Sequence, residues 1–153
     1  MRDFWIRCGS TVFFTGHFPV APATFTSAIV IALWLWLPPL ALLPWLALMA
    51  VLIVGGTWVA DRAERIYGED GHPITIDEVV GQLLTVAFLP HTLWVAVVGF
   101  VLFRIFDIVK PPPAYQLQSL RGGYGIMADD VMAGIYAHLL LRAAIAFWPA
   151  FFA

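Results

Sequence analysis

The chain alternates long apolar runs with short polar or proline-rich breaks. Five runs stand out: Thr24 to Leu37, closed by Pro38-Pro39; Leu40 to Ala60; Ile76 to Leu89, stopped by Pro90-His91; Thr92 to Val109; and Ile126 to about Phe152. Tandem prolines cannot continue a helix, so these breaks are real ends. Between the second and third runs lies "DRAERIYGEDGHP", Asp61 to Pro73, which reads as a polar loop. Between the fourth and fifth lies "KPPPAYQLQSLRGGYG". A bilayer-spanning helix needs about 20 residues, a length the second, fourth and fifth runs approach or exceed. The first and third hold roughly 14 residues, about 21 Å of helix, so they read as short arms or partly re-entrant segments. "TGHFPVAP" before the first run has the polar-apolar mix of such a segment.

Composition sharpens this picture. Of 153 residues, 61% are hydrophobic and 12% charged, with a mean hydropathy of +0.87. Soluble domains are about half apolar and a quarter charged, so the expectation is one all-α, polytopic membrane domain over 1–153 with about five packed helices. A net charge of −2 gives no basis for nucleic-acid binding. The single cysteine, Cys8, excludes an internal disulfide and any CxxC metal site. "MRDFWIRCGS" lacks the h-region of a removable signal peptide.

If the segments alternate across a membrane, Arg2, Arg7, Arg62, Arg65, Arg104, Lys110 and Arg121 fall on one side, and only Arg142 does not. The turns "PPL" and "PHT" on the other side carry no Lys or Arg. The positive-inside rule makes the charged side cytoplasmic, and all acidic residues fall there too.

Three acidic groups then mark the cytoplasmic ends of helices: Asp77-Glu78 in "ITIDEVVGQ", Asp107 in "FRIFDIVKP", and Asp129-Asp130 in "GIMADDVMAG". Any one of them could be ordinary capping or solvated charge. Gathered together, they would repel unless a cation sat between them, and hard oxygen ligands suit Mg²⁺ or Ca²⁺. Asp77, Glu78, Asp129 and Asp130 are expected in first helical turns, where the macrodipole favours negative charge. Arg104, Asp107 and Lys110 at spacing three place Arg104 and Asp107 on nearly one face. They read either as an intrahelical pair with a snorkelling lysine or as a phosphate clamp. "GGYG", Gly122 to Gly125, could present backbone N–H groups to a phosphate or be a plain turn. Thr24 and Ser27 open the first helix as caps or as further phosphate donors. The four histidines lack metal-ligand spacing, and the role of His17 stays open. The pairs Gly56/Ala60 and Ala133/Ala137 suggest close helix packing.

Taken in order, "IDEVVG", "FRIFDIVKPPP" and "GGYGIMADDVMAG" resemble the phosphatidylglycerophosphatase A family. The matching positions are Asp77, Glu78 and Gly81; then Phe103, Arg104, Asp107, Lys110, Pro111 and Pro113; then Gly122, Gly123, Gly125, Ile126, Met127, Asp129, Asp130, Ala133 and Gly134. The resemblance covers about residues 16 to 134. One stretch departs: "PATFTS" has Ala23 and Thr26 where the family usually has glycines, which bears on loop shape and substrate preference.

The resemblance implies Mg²⁺-dependent hydrolysis of phosphatidylglycerophosphate to phosphatidylglycerol and phosphate at the cytoplasmic face of a bacterial inner membrane. On that reading Asp77, Glu78, Asp107, Asp129 and Asp130 are metal candidates, and Asp107, Asp129 and Asp130 are catalytic candidates. Arg104, Lys110, Thr24, Ser27, Gly122 and Gly123 are phosphate-binding candidates. The nucleophile is either water or an aspartate passing through an acyl phosphate. The rivals are a phosphatase for phosphatidate or a prenyl phosphate, and a small cation-transport protein. No protein partner is evident.

Overall fold

The computed structural model describes residues 2–68 and 71–153. All regular structure there is helical. The helices are α1 (Arg2–Ser10), α2 (Pro22–Trp36), α3 (Leu42–Tyr67), α4 (Ile76–Thr85), α5 (Leu93–Val109), α6 (Ala114–Leu117), α7 (Gly123–Phe147) and α8 (Pro149–Phe152), with a 3-10 turn over Thr15–His17. The five expected runs are the five long elements α2, α3, α4, α5 and α7. The short helices α1, α6 and α8 are additional to them.

Several boundaries differ from expectation: the third run, expected to Leu89, is α-helical only to Thr85, the fifth breaks at Trp148 into α7 and α8, and two further differences have a physical reason. The polar stretch after Ala60 does not begin as a loop, because α3 continues through Tyr67. Ala60 and Ala63 stay fully buried while Arg65 points outward, so an inward stripe persists through the charged sequence. Glu69 and Asp70 of the expected loop lie outside the described residues. The second difference is that α7 begins at Gly123, so most of "GGYG" is helix rather than turn. Asp129 therefore closes the second turn and Asp130 opens the third, so neither is in the first. Asp77 and Glu78 do occupy the first turn of α4.

α7 is the hub, packing against α4, α5, α3 and α6, while α2 covers α4 and α5 and α1 lies on α3. Glycine lets α4 and α7 approach. A Cβ on Gly81 would stand 2.8 Å from the Asp130 carbonyl and strike the Phe103 ring, and one on Gly134 would stand 3.1 Å from Gly81 Cα. Ala133 and Ala137 are buried on the same helix, and a Cβ on Gly56 would meet Met127 Cε at 2.7 Å, so both expected small-residue pairs mark close packing. At the far end Phe152 of α8 folds back among Ile31, Val86, Leu89, Val95 and Leu141. The Thr92 hydroxyl ties this end shut by donating to the Phe152 carbonyl at 2.9 Å.

Two helices, α3 and α7, are long and apolar enough to cross a membrane, with 11% and 28% of their apolar windows buried. A core helix of a soluble protein would bury most of that surface. α4 is only ten residues, about 15 Å, far below a spanning length. The stretch "TGHFPVAP" opens with the 3-10 turn Thr15–His17 and leads into α2; a left-handed run, Val12 to Phe14, precedes it, held by Thr11 Oγ1 accepting from the Phe14 N–H at 3.0 Å.

Candidate active site

Packing of α4, α5 and α7 brings three acids together. One carboxylate oxygen from each of Glu78, Asp107 and Asp130 lies within 4.8 Å of the others, and all three residues are buried. The helices run so that the start of α4, the last turns of α5 and the start of the third turn of α7 meet at one level. The dipole of α4 favours Glu78 at its N-terminus. Asp107 sits near the unfavourable end of α5 and is held by cations instead. Arg104 Nη1 reaches it at 3.0 Å and Lys110 Nζ at 4.0 Å.

Arg104 is the organiser. Its Nη1 also donates to Glu78 Oε2 at 2.6 Å, bridging α5 to α4. Ser27 Oγ of α2 donates to the same Glu78 oxygen at 2.8 Å. Two polar atoms of this site lack a hydrogen-bond partner while fully buried: the donor Nε of Arg104 and the acceptor Oδ2 of Asp130. Buried polar groups are normally satisfied, so these two atoms call for partners of opposite kind, a cation or donor for Asp130 Oδ2 and an acceptor for Arg104 Nε.

The adjacent aspartates part company. Asp130 joins the cluster, whereas Asp129 accepts a hydrogen bond from Lys110 Nζ and, through Oδ1, one from the Asp130 backbone N–H at 3.0 Å. Lys110 does not snorkel. It takes a left-handed conformation, φ 46°, that turns it back to α7. Burial works against its ammonium, but the Asp129 hydrogen bond and the charges of Asp129, Asp107 and Asp130 outweigh this and raise its pKa above the ordinary lysine value.

The other sequence candidates divide. Asp77 is buried next to Glu78 but lies outside the three-acid set. Ser27 is in the site, while Thr24 is half-buried within α2, and neither caps the helix, whose cap is Ala21. Gly122 and Gly123 pack on α3. Gly122 has φ 67° beside Asp61, and a Cβ on Gly123 would stand 2.7 Å from the Asp61 nitrogen. They begin α7 about seven residues, roughly 10 Å, before Asp130. The departures in "PATFTS" need no glycine, since Ala23 and Thr26 are helical and the positive φ falls on Ala21. Thr26, fully buried, shares a 2.9 Å hydrogen bond with Thr15 and so fastens the 3-10 turn to α2. His17 lies outside the cluster, 3.3 Å from the Tyr67 hydroxyl. Sequence reasoning passed over Gln82, a fully buried amide whose Nε2 and Oε1 both lack partners. Its signal was the i to i+4 spacing from Glu78 on α4.

The donor set fits a hard divalent cation. Glu78, Asp107 and Asp130 offer only oxygens. Three carboxylates against the Arg104 guanidinium leave two negative charges, three minus one, which one divalent cation would balance.

Helices carrying clustered carboxylates, a buried guanidinium and an ammonium define a protein equipped to handle phosphate esters. The chain belongs to the phosphatidylglycerophosphatase A family, whose profile matches residues 9–145. It is a phosphoric monoester hydrolase of that family. It is 33% identical over 143 residues to phosphatidylglycerophosphatase A of Escherichia coli, covering 90% of this chain and 81% of that one. To the Haemophilus influenzae protein of the same name it is 37% identical over 102 residues, 65% of this chain and 62% of the other. A Bacteroides thetaiotaomicron protein, provisionally named a phosphatidylinositol-3-phosphatase, is 40% identical over 142 residues, 88% and 89% of the two chains. No solved structure matches the fold at significance.

Proposed function

We propose that this chain hydrolyses phosphatidylglycerophosphate to phosphatidylglycerol and phosphate, with Mg²⁺ bound by Glu78, Asp107 and Asp130. The observation that carries the reading is the orphan pair in the acid cluster, Asp130 Oδ2 for a cation and Arg104 Nε for a phosphate oxygen. Phosphoryl transfer is mostly positioning and charge neutralisation. The headgroup monoester brings about −1.5 to −2 charges. Bound Mg²⁺ would offset that charge and polarise a phosphate oxygen. Arg104 directs its free Nε to a non-bridging oxygen while its Nη1 keeps Glu78 and Asp107 in place. Ser27 fixes the Glu78 carboxylate from the α2 side. Lys110, ion-paired with Asp129 and 4.0 Å from Asp107, adds a second cationic group beside the cluster. We further propose a multi-pass membrane enzyme with this site at the cytoplasmic face, which the outward apolar surfaces of α3 and α7 and the one-sided charge support.

A second reading has its own observation. The similarity to the provisionally named phosphatidylinositol-3-phosphatase extends along nearly the whole chain, so an inositol lipid phosphate is the rival substrate. Purified protein in mixed micelles, given each lipid phosphate with Mg²⁺ and then with chelator, decides between them. Chelator-sensitive phosphate release fastest from phosphatidylglycerophosphate supports the first reading. Faster release from the inositol lipid replaces it with the second, and release unchanged by chelator removes the metal from both.

A further inference from the structure

Two cavities open beside α3, and they share Trp58 and Arg62 as lining. The smaller, about 430 Å³, lies between α1 and α3 and is bordered by Asp3 and Arg65. The larger, about 650 Å³, runs between α3 and α7 with Val54, Leu117, Val131 and Met132 in its wall and Asp61 at its rim. Both fall within the size range of small-ligand pockets, roughly 300–1,000 Å³. Neither belongs to the acid cluster. At about 100° per residue, Met132 stands some 200° round α7 from Asp130.

Arg62 is prepared for an anion. Its guanidinium lies 3.8 Å over the Trp58 ring and donates one hydrogen bond, from Nη1 to the Trp58 carbonyl at 3.1 Å. Most of its five N–H donors remain open. Arg65 is mostly exposed and only loosely paired with Asp61, at 4.0 Å, an arrangement easily exchanged for a better partner. The rims together carry two guanidiniums, Arg62 and Arg65, and two carboxylates, Asp3 and Asp61. That balance matches a headgroup bearing both signs better than a purely anionic one. The larger cavity lies between the two helices long and apolar enough to cross a membrane, and its lining is mostly apolar, which suits an acyl chain. Trp58, half-exposed at the junction, has the amphipathic ring that settles at headgroup level.

We propose that these two neighbouring cavities, which share Trp58 and Arg62, together bind an amine-bearing zwitterionic glycerophospholipid of the bilayer. Its phosphate rests on Arg62 and Arg65, its ammonium faces Asp3, and one acyl chain lies in the α3–α7 groove. This goes beyond the phosphatase reading and does not depend on it. The test uses the purified full chain in detergent, titrated with brominated-chain phosphatidylethanolamine, phosphatidylcholine or phosphatidylglycerol. Quenching of Trp58 is read as the difference between wild type and Trp58→Phe. Phosphatidylethanolamine is expected to bind about tenfold more tightly than the other two, the effect of one charge-assisted hydrogen bond. Asp3→Asn should bring it to the phosphatidylcholine level, and Arg62→Gln with Arg65→Gln should weaken all three about tenfold or more. The substituted side chains are at least partly exposed, so the fold should survive, which circular dichroism checks. Equal affinity for the three lipids, a preference that survives Asp3→Asn, or binding indifferent to the arginine substitutions would each overturn the proposal.

Discussion

Asp130→Asn should separate what the acid cluster does for stability from what it does for chemistry. Asp130 lies within 4.8 Å of both Glu78 and Asp107, so at an effective dielectric of about 20 each like-charge contact opposes folding by about 3 kcal/mol. Arg104 offsets part of this through its contacts to Glu78 and Asp107. Without a cation, wild type must bear the rest or take up a proton. Asparagine has the same shape and no charge, so in chelator the variant should be at least as stable as wild type. With Mg²⁺ at about 100 times its Kd, wild type should gain about 2.7 kcal/mol, a rise in melting midpoint of roughly 5–10 °C for a chain of this size. Asp130→Asn should lose most of that rise and most phosphate release. The assay is thermal unfolding in detergent across a Mg²⁺ titration, run alongside phosphate release from the same preparations. A variant that keeps both the Mg²⁺-dependent rise and near wild-type turnover would refute the assignment of Asp130. A variant clearly less stable in chelator would refute the repulsion argument.

Arg104→Ala should lower phosphate release about 100- to 1,000-fold, with Arg104→Lys in between because an ammonium lacks the planar fork that serves Glu78, Asp107 and a phosphate at once; equal rates for all three proteins would exclude the clamp. Gly81→Ala should destabilise by about 1–3 kcal/mol, measured by denaturation, since the added Cβ stands 2.8 Å from the Asp130 carbonyl. Turnover per folded molecule should fall as well, because that carbonyl belongs to a residue of the acid cluster. Lys110→Ala and Asp129→Asn should couple in a double-mutant cycle by about 0.5–3 kcal/mol of stability, and Asp129→Asn should retain the Mg²⁺-dependent rise that Asp130→Asn loses.

The existence of the long helices was legible because proline pairs and apolar runs are local signals. Their ends were less so. Gly122 to Gly125 reads locally as a turn, yet Gly123 and Gly125 are buried in α7, where a Cβ would meet backbone of α3 or of the preceding loop. Tertiary contact, not intrinsic propensity, sets glycine there. The charged continuation of α3 was hidden for the same kind of reason, because two small alanines carry its buried face. In the site, the acids and the Arg104–Asp107 spacing were visible as costly charges in an apolar chain. What could not be read was partnership across helices. That Arg104 reaches Glu78, that Ser27 meets the same oxygen, and that Gln82 lies buried one turn further on depend on how α2, α4 and α5 are rotated about their axes.

That rotation explains the paired aspartates. Neighbours on a helix point about 100° apart, so Asp129 and Asp130 cannot serve one point equally. Gly81 and Gly134 bring α4 and α7 close enough for Asp130 to face Glu78, and the buried Phe103 ring fills the space that Gly81 leaves. With α7 fixed by that crossing, Asp129 must turn toward the end of α5. That charge meets the left-handed residue at which α5 stops, Lys110, whose φ of 46° returns its ammonium to Asp129. The Asp129–Lys110 pair thus makes the orientation of Asp130 a consequence of two contacts on opposite flanks of α7, one of packing and one of charge. On the proposed metal site, the motif's second aspartate acts on the cation and its first acts on the helix, and the two substitutions should fail in different assays.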